Sequence, residues 1–297
     1  MKLLLTGSAG RIGRAIHAAA VGQHVVTGLD RSPFSTTSLI GDVADPERLK
    51  RALDGVDAVI HTASLHAPHV GVVADTEFER VNVAGVETLV RLARQAGVPR
   101  IVYTSTTALY GAAVDGRSCQ WIDETVTPQP TTVYHRTKLA AEQVLADAAN
   151  DQLAVRVVRM SRCFPEPVDR MAAYRLHRGI DVRDVADVHL AALVAGGASF
   201  QRCIASGVTP FQREDLEALW TSPQDVLAER CPQLVADFAA RRWPLPSRID
   251  RVYDASAAYS QWGWRSRHGH EEVIAQSERR SLEVLPRLPE FADRTIE

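Results

Sequence analysis

A glycine-rich segment, Thr6-Gly7-Ser8-Ala9-Gly10-Arg11-Ile12-Gly13, follows a short apolar segment that begins at Leu3. Gly7 allows a tight turn, Gly10 lets the backbone approach a phosphate closely, and Gly13 lets a helix pack tightly against the preceding strand. The free N–H groups at the start of that helix, together with the positive end of its dipole, favour an anionic group. The stretch therefore predicts a strand, a phosphate-binding turn and a helix in succession.

Short apolar runs alternate with longer helical patterns through the first 160 residues, as is typical of a parallel sheet with crossover helices. We predict strands over residues 3–6, 24–29, 38–40, 57–61, 101–105 and 154–159, and helices over residues 11–21, 46–53, 77–96 and 133–149. Asp45 is expected to cap the helix that begins with Pro46.

Prolines become frequent after Met160, which indicates a change of architecture. The sequence predicts an α/β protein with a Rossmann-type doubly wound parallel sheet over residues 1–160. A smaller C-terminal lobe over residues 161–297 is expected to close over the carboxyl edge of the sheet and to return strand and helix elements to it.

Composition and charge argue against several classes of protein. The 297 residues carry 34 lysines and arginines against 36 aspartates and glutamates, so nothing favours binding to nucleic acid or an anionic membrane. No apolar run approaches the roughly 20 residues of a membrane span. The four cysteines form no C-x-x-C pair, which argues against a zinc ribbon and fits a reducing cytoplasm. We therefore expect a cytoplasmic protein.

A carboxylate follows the second predicted strand. Asp30 lies 23 residues beyond Gly7, where it would accept hydrogen bonds from the ribose hydroxyls of a dinucleotide. The same charge would repel a 2′-phosphate, which favours NAD over NADP, although the neighbouring Arg31 could partly reverse that preference and keeps NADP possible. Asp42-Val43 is placed to meet the adenine ring. The alternative for Asp42 is a solvated loop carboxylate.

A tyrosine and a lysine lie four residues apart in a predicted helix, at Tyr134 and Lys138, so both face the same side. Free tyrosine has a pKa of about 10 and is a weak base at neutral pH. A nearby ammonium group, together with a positive nicotinamide ring, would stabilise the phenolate and lower that pKa. The amine could also donate a hydrogen bond to the nicotinamide ribose. The pair indicates acid–base chemistry beside the dinucleotide.

These motifs occur in a familiar order, and the chain resembles the NAD-dependent epimerase/dehydratase family of extended short-chain dehydrogenases. The resemblance covers residues 2 to about 195 and rests on six segments: Thr6 to Gly13, Val59-Ile60-His61-Thr62-Ala63, Asn82-Val83-Ala84-Gly85, Tyr103 to Gly111, Tyr134 to Lys138, and Arg183-Asp184-Val185-Ala186. A weaker match lies near the end, at Tyr253-Asp254-Ala255 and Trp262-Gly263-Trp264. It implies an NAD(P)-binding domain over residues 1–160 and a substrate lobe over residues 161–297.

The resemblance also implies a catalytic hydroxyl four residues before the tyrosine of the segment 109–111, which is Thr106, with Ser105 as the fallback. Asn82 would steady the site through a backbone or water contact, or would be an ordinary asparagine at a helix start. The expected catalytic residues are Thr106, Tyr134 and Lys138. The expected cofactor-binding residues are Gly7, Ala9, Gly10, Arg11, Ile12, Gly13, Asp30, Arg31, Asp42, Val43, Thr62, Ala63, Asn82, Tyr134 and Lys138.

Departures from the family pattern bear on the substrate. Thr107 and Ala108 stand where sugar-nucleotide 4,6-dehydratases carry an Asp-Glu pair, so that dehydration is disfavoured. Arg162 replaces the customary asparagine after the sixth strand. The segment from Pro165 to Asp184 is shorter than the segment that binds the nucleotide in sugar-nucleotide enzymes. This favours a smaller substrate or a different mode of substrate binding.

The turn from Cys163 to Pro167, followed by Arg170, resembles the corresponding turn of uronate dehydrogenases, where an arginine holds the sugar-acid carboxylate. Arg170, with Arg162, could act likewise, because a guanidinium matches a carboxylate or phosphate. The alternative is salt bridges to Glu166, Asp169 or Asp181. The expected substrate-binding residues are Ser64, His66, Thr107, Arg162 and Arg170.

Three histidines crowd the loop after the fourth strand, at His61, His66 and His69. No carboxylate or cysteine nearby completes a metal site, so no metal is expected. His61 stands at the family's own histidine position, and the other two are expected to line the mouth of the substrate site. The resemblance further implies a homodimer formed by the helices at Glu77 and Val133.

The first functional hypothesis is an NAD(P)-dependent oxidoreductase that transfers hydride at a secondary alcohol carbon of a sugar-like substrate. Its alternative is a nucleotide-sugar 4-epimerase of the UDP-hexose type, in which a transient keto intermediate is reduced again on its other face. The first half-reaction is the same in both, so the sequence barely separates them. A more distant alternative is a non-catalytic NAD(P)-binding regulator.

Overall fold

The computed structural model describes residues 1–114 and 116–287, so residues 288–297 of the predicted lobe lie outside the described residues. Seven parallel strands form the main sheet in the order β3-β2-β1-β4-β5-β7-β8, and β6 and β9 pair in parallel separately. The strands are β1 Lys2–Thr6, β2 Val25–Asp30, β3 Leu39–Ile40, β4 Ala58–His61, β5 Arg100–Thr106, β6 Gln120–Ile122, β7 Ala154–Met160, β8 Phe200–Ala205 and β9 Arg251–Tyr253.

Twelve α-helices are found within the described residues. They are α1 Arg11–Ala20, α2 Pro46–Ala52, α3 Asp75–Glu79, α4 Gly85–Gln95, α5 Val133–Ala148, α6 Val168–Tyr174, α7 Val182–Val194, α8 Leu216–Thr221, α9 Pro223–Arg230, α10 Pro232–Arg241, α11 Ser256–Trp262 and α12 His270–Glu278. The order of strands and helices confirms the predicted Rossmann-type fold.

The main sheet is buried on both faces because helices cover both. Successive residues of a strand point to opposite faces, and β1 follows this rule: Leu4 packs in one core cluster, whereas Leu3 and Leu5 pack in another. The first cluster includes Leu89 of α4, and the second includes Val185 of α7. This double burial explains why the strands are apolar without alternation.

The predicted helix over residues 77–96 differs from the structure in one respect. The helical run begins earlier, at Asp75, and residues Arg80–Ala84 form a π-helical turn between α3 and α4. A π turn inserts one extra residue and often lies at a functional site. Here it carries the buried Asn82, and a 3.6-residue periodicity gives no sign of it.

The predicted cap of α2 is confirmed. The carboxylate of Asp45 accepts hydrogen bonds from the backbone N–H groups of Glu47 and Arg48, at 3.0 and 3.3 Å. Pro46 occupies the first turn, where its missing N–H costs nothing.

A third core cluster, which includes Met171 of α6 and Leu227 of α9, lies among the helices after residue 160. Strand β9 pairs with β6 and brings the residues near position 250 back toward the sheet. Buried Asp184 of α7 accepts hydrogen bonds from Ser266 Oγ and from the backbone N–H of His268, at 2.7 and 3.0 Å. These contacts fix the late segments against the main sheet.

Across residues 1–114 and 116–287, every helix is too short or too polar to traverse a lipid bilayer.

Candidate active site

The glycine turn between β1 and α1 has the geometry that the sequence predicts. Gly7 has a φ of +73°, in the left-handed region, and its N–H donates to Leu29 O at 2.8 Å. A Cβ on Gly7 would lie 2.6 Å from the backbone nitrogen of Ala63, and one on Gly13 would lie 2.1 Å from Gly7 O. Helix α1 begins at Arg11 with no side chain capping its first N–H groups. The turn therefore fits a pyrophosphate group.

Asp30 ends β2 beside this turn. Its two carboxylate oxygens accept hydrogen bonds from the backbone N–H groups of Ala9 and Ser32, at 3.0 and 2.9 Å. Ala9 therefore serves to orient Asp30, and it is absent from the cavity wall, whereas Asp30 and Arg31 both line the cavity.

Asp42 also lines this cavity, but its carboxylate has a partner that the sequence did not indicate. Arg80 donates to it at 2.7 Å. Burial raises the pKa of Asp42, but the hydrogen bonds from Ala44 N and Arg80 outweigh burial and hold it below its usual value. Asp42 is thus an anchored side chain and not a freely solvated loop carboxylate.

One cavity of about 480 Å³ runs from the glycine turn to the far side of β5 and β7, within the usual range for small-molecule sites. Eighteen of the predicted site residues line it: Gly7, Gly10, Arg11, Ile12, Gly13, Asp30, Arg31, Asp42, Val43, Thr62, Ala63, Ser64, His66, Thr106, Thr107, Tyr134, Lys138 and Arg162.

Arg170 does not lie in the wall of this cavity. It belongs to α6, whose residues Val168, Met171 and Ala172 are buried in the third core cluster, and Arg170 lies off that face. The spacing along the turn suggested Arg170, but the helix that contains it is oriented by its apolar side chains.

Asn82 is also outside the cavity wall, directly behind it. Its amide oxygen accepts from Leu65 N at 2.8 Å and from Ser64 Oγ at 3.1 Å, and its amide nitrogen donates to Thr137 Oγ1 at 3.2 Å. The buried amide therefore ties the loop after β4 to α5, on which Tyr134 and Lys138 stand.

Thr106 and Tyr134 face each other at the carboxyl end of β5. Thr106 ends the strand and its hydroxyl accepts from Ala108 N at 3.1 Å, which begins a 3₁₀ turn. Burial raises the pKa of Tyr134 to about 12, whereas its hydrogen bond with Thr106 lowers it. Without a further positive charge, Tyr134 would remain protonated at neutral pH.

Lys138 lies one turn further along α5 and is 3% exposed. Its amine donates to Thr104 O at 2.6 Å and stands 4.0 Å from the centre of the Tyr103 ring. Burial lowers the pKa of Lys138 to about 7, although Glu142 acts in the opposite direction. The amine therefore changes charge near neutral pH.

A buried ion pair that the sequence analysis missed supports this helix. Arg159 of β7 donates to both carboxylate oxygens of Glu142, with the shortest contact at 2.6 Å. Ser105 Oγ donates to the same carboxylate at 2.5 Å. The hydroxyl that was the alternative to Thr106 is therefore hydrogen-bonded to Glu142. Arg159 also donates to Tyr110 Oη at 2.9 Å. The sequence did contain an indication of this pair: Arg159 lies within a mainly apolar strand, and a buried charge requires a partner.

The histidines take different positions. His61 is buried; its Nδ1 is 2.8 Å from Thr6 Oγ1, and burial, assisted by the Lys138 charge, lowers its pKa to about 3. His66 lines the cavity and makes an edge-to-face contact with His69. Within residues 1–114 and 116–287, no group of three or more His, Cys, Asp or Glu side chains is arranged to hold a metal ion.

The end of the cavity beyond Thr107 carries arginines. Arg162 forms a salt bridge of 2.6 Å with Glu166, one of the two alternatives considered for it, and also borders the cavity. Arg178 and Arg251, which the sequence analysis missed, line the same end. Local motifs could not indicate them, because β9 and the segment after α6 meet only in the folded chain.

Comparison with known proteins adds independent evidence. Residues 3–174 match the NAD dependent epimerase/dehydratase family, more than half of the chain. A ketoreductase of Stigmatella aurantiaca, which acts on 4-hydroxy-2-methyl-3-oxo-4-farnesyl-3,4-dihydroquinoline-1-oxide, is 32% identical over 54% of this chain and 49% of that protein. The matched segment thus spans about half the length of that relative.

Two further matches cover nearly the whole chain. A UDP-glucose 4-epimerase of Azospirillum brasilense is 27% identical over 93% of this chain and 90% of that protein. The solved structure of a mutated uronate dehydrogenase aligns with a TM-score of 0.66 and 18% identity, over 97% of this chain and 89% of that one, which shows a shared fold. With its glycine turn and Tyr134–Lys138 helix, the chain belongs to the NAD dependent epimerase/dehydratase family.

Proposed function

We propose that the protein transfers hydride between NAD and a secondary alcohol carbon of a sugar-like substrate, with Thr106, Tyr134 and Lys138 as its catalytic residues. One observation carries the proposal: these three side chains line the same cavity as the glycine turn and Asp30. Hydride transfer requires a dinucleotide and an acid–base group within one enclosed space.

The proposed role of each residue follows from the position of its side chain. Bound NAD supplies the hydride acceptor. Tyr134 takes the proton of the substrate hydroxyl, and Thr106, which hydrogen-bonds Tyr134, orients the substrate oxygen. Lys138 provides the positive charge that stabilises the phenolate. Its hydrogen bond to Thr104 O, at 2.6 Å, holds the amine beside β5.

The wall of the cavity also favours NAD over NADP. Asp30 would meet the adenosine ribose, and its carboxylate is held in place by two backbone N–H groups. A fixed negative charge there repels a 2′-phosphate. Arg31 in the same wall leaves weaker use of NADP open.

The second candidate is a nucleotide-sugar 4-epimerase, favoured by the near full-length match to the Azospirillum brasilense enzyme. The two candidates differ only in the fate of the keto product. A dehydrogenase releases it together with NADH, whereas an epimerase retains both and returns the hydride.

We also propose that residues 1–160 bind the dinucleotide and that residues 161–297 complete the substrate site. The helices α3–α4 and α5 are the expected contact surface of a homodimer. A monomer mass by light scattering would contradict the dimer.

The test is an assay of NADH formation. Purified protein is mixed with NAD and a panel of neutral and acidic sugars, and Tyr134→Phe is compared with Tyr259→Phe, a control at an exposed tyrosine of α11. We expect the first variant to lose activity by about 10²-fold or more and the control to keep it.

Mass spectrometry of the cofactor that leaves the purified protein separates the two candidates. Tightly retained NAD, with no net NADH formed, would favour the epimerase. Equal turnover by Tyr134→Phe and wild-type protein in either reaction would refute the catalytic assignment.

A further inference from the structure

The buried amine of Lys138 lies against the face of an aromatic ring. Lys138 Nζ is 4.0 Å from the centre of the Tyr103 ring, and it donates a hydrogen bond of 2.6 Å to Thr104 O. Lys138 and Tyr103 are 3% and 1% exposed, so water has little access to this contact. The electron-rich face of an aromatic ring attracts a cation, and the attraction is strongest where both groups are desolvated.

The carboxylate one turn beyond Lys138 on α5 is already bound by other side chains. Glu142 forms salt bridges with two arginines, at 2.6 and 3.4 Å. In the part of the chain that the structure describes, no carboxylate forms a salt bridge with Lys138, although the charge of Glu142 raises the pKa of the amine. The ammonium form of Lys138 therefore relies on its contacts with β5, a carbonyl oxygen and the ring of Tyr103.

The other titratable groups that face this amine are uncharged at neutral pH. Burial raises the pKa of Tyr103, and it raises that of Tyr134 to about 12. The ring of His61 lies 5.7 Å from the ring of Tyr103, and burial lowers its pKa to about 3. Burial also lowers the pKa of His66. None of these groups supplies a negative charge to the amine.

The hydroxyl of Tyr103 does not explain why an aromatic residue lies at this position. It is buried and has no hydrogen-bond partner within residues 1–114 and 116–287. A buried hydroxyl without a partner is unfavourable, so the favourable contribution of this side chain comes from its ring. One face of that ring is the surface that the Lys138 amine contacts.

We infer that Tyr103 is a positioning residue that holds Lys138 in its charged form through the face of its ring. The inference rests on the proposed function, because Lys138 is one of the proposed catalytic residues. A charged Lys138 stabilises the phenolate of Tyr134. Tyr103 is not among the described residues that line the cavity, so it acts on the chemistry through Lys138.

The experiment changes the electron density of the ring and nearly preserves its shape. The two proteins are Tyr103→Phe and one with pentafluorophenylalanine at the same position, each made with and without Lys138→Met. Chemical denaturation from about pH 5 to about pH 10 gives the part of the unfolding free energy that depends on Lys138. This part begins to rise at the pH where the folded protein releases the proton of the amine.

Tyr103→Phe keeps the electron-rich face, so the rise should begin at about pH 7, as in the wild type. Fluorine withdraws electron density from the face, so the ammonium form loses its stabilisation and the rise should begin about one pH unit lower or more. Tyr103→Leu should show a similar shift. Its matched control is Phe78→Leu, which removes another buried ring of the same core cluster and should lower stability without a shift.

NADH formation gives a second measurement. At neutral pH the fluorinated protein should turn over about fivefold or more slowly than Tyr103→Phe, because less of its Lys138 is charged. At about pH 6 the difference should become smaller, since Lys138 gains its proton in both proteins.

The same onset in the phenylalanine and pentafluorophenylalanine proteins would overturn the inference, and so would equal shifts in Tyr103→Leu and Phe78→Leu. The denaturation measurement requires neither NAD nor substrate, so the proposed function fails separately. If the onset follows the ring but Tyr134→Phe keeps full activity, the role of Tyr103 toward Lys138 stands and hydride transfer through Tyr134 is refuted. If activity depends on Tyr134 but the onset does not move, hydride transfer stands and the role of Tyr103 is refuted.

Discussion

The amine of Lys138 donates a 2.6 Å hydrogen bond to the carbonyl oxygen of Thr104. This contact joins α5 to β5 two residues before Thr106, so the proposed catalytic lysine is held against the strand that carries the proposed catalytic threonine. The side chains proposed to be catalytic thus lie on a helix and at the end of a strand, and not in loops.

The buried amine makes folding sensitive to pH. The folded protein releases the Lys138 proton near pH 7, whereas the unfolded chain holds it up to about pH 10.4. Between these values the unfolded state binds more protons, so this residue makes stability rise with pH, by up to about 1.4 kcal/mol per pH unit. Below pH 7 both states are protonated and the slope vanishes.

Lys138→Met tests this coupling by chemical denaturation at several pH values. The unfolding free energy of the wild type, minus that of the variant, should rise between pH 7 and about pH 10 and stay flat below. Lys50→Met, at an exposed position, should show no such slope. A flat difference for Lys138 across the whole range would contradict a lowered pKa for this buried amine.

Gly13→Ala should disrupt the glycine turn. The added Cβ would lie 2.1 Å from Gly7 O, so α1 must move away from β1, at a cost of about 1–3 kcal/mol or more. Gly22→Ala is the matched control, because nothing lies within 4 Å of its Cβ position. Denaturation and NAD calorimetry should show losses only in the first variant; intact NAD affinity there would argue against the close packing of the turn.

Asp30→Ala should change cofactor preference. Removal of the carboxylate abolishes repulsion of a 2′-phosphate and loses the ribose contact, so the ratio of NADP to NAD affinity should increase about tenfold. Competition binding measures this ratio directly. Asp54→Ala, at an exposed position after α2, should leave the ratio unchanged. The same ratio in Asp30→Ala and wild type would remove Asp30 from the cofactor site.

Glu142→Gln should destabilise the protein by about 3–5 kcal/mol, because it leaves buried Arg159 without its counter-charge. A double variant, Glu142→Leu with Arg159→Met, should cost less than the sum of the single changes. For comparison, removal of the exposed Arg241–Glu278 salt bridge should lower the free energy of unfolding by no more than about 1 kcal/mol. If the losses of unfolding free energy for the Glu142 and Arg159 variants simply add in the double variant, the two side chains are not energetically coupled.

Much of the fold follows from local sequence. The glycine turn, the Asp45 cap and the Tyr134–Lys138 spacing are each specified by residues close together in the sequence, and the structure places them where expected. The π turn at Asn82 was not predicted, and the hydrogen bonds that accompany it, from this amide to Leu65 and Thr137, join segments distant in sequence.

The substrate end was the least predictable part. Arg170 was chosen for its place after a turn, but the burial of Met171 and Ala172 sets the orientation of α6. Arg178 and Arg251 lie more than 70 residues apart, and only the return of β9 brings them to one Asp250 carboxylate. A sequence pattern cannot predict contacts between residues that are so far apart in the chain.

The ionisation of Tyr134 in the NAD complex reports on the proposed chemistry, and its measurement requires no knowledge of the substrate. Tyrosinate absorbance is titrated with pH in the NAD complex, and the curve of Tyr134→Phe is subtracted from that of the wild type. We expect the pKa of Tyr134, about 12 without cofactor, to fall toward neutrality when the positively charged nicotinamide binds beside Tyr134 and Lys138. A Tyr134 pKa that stays at about 12 in the complex would contradict it.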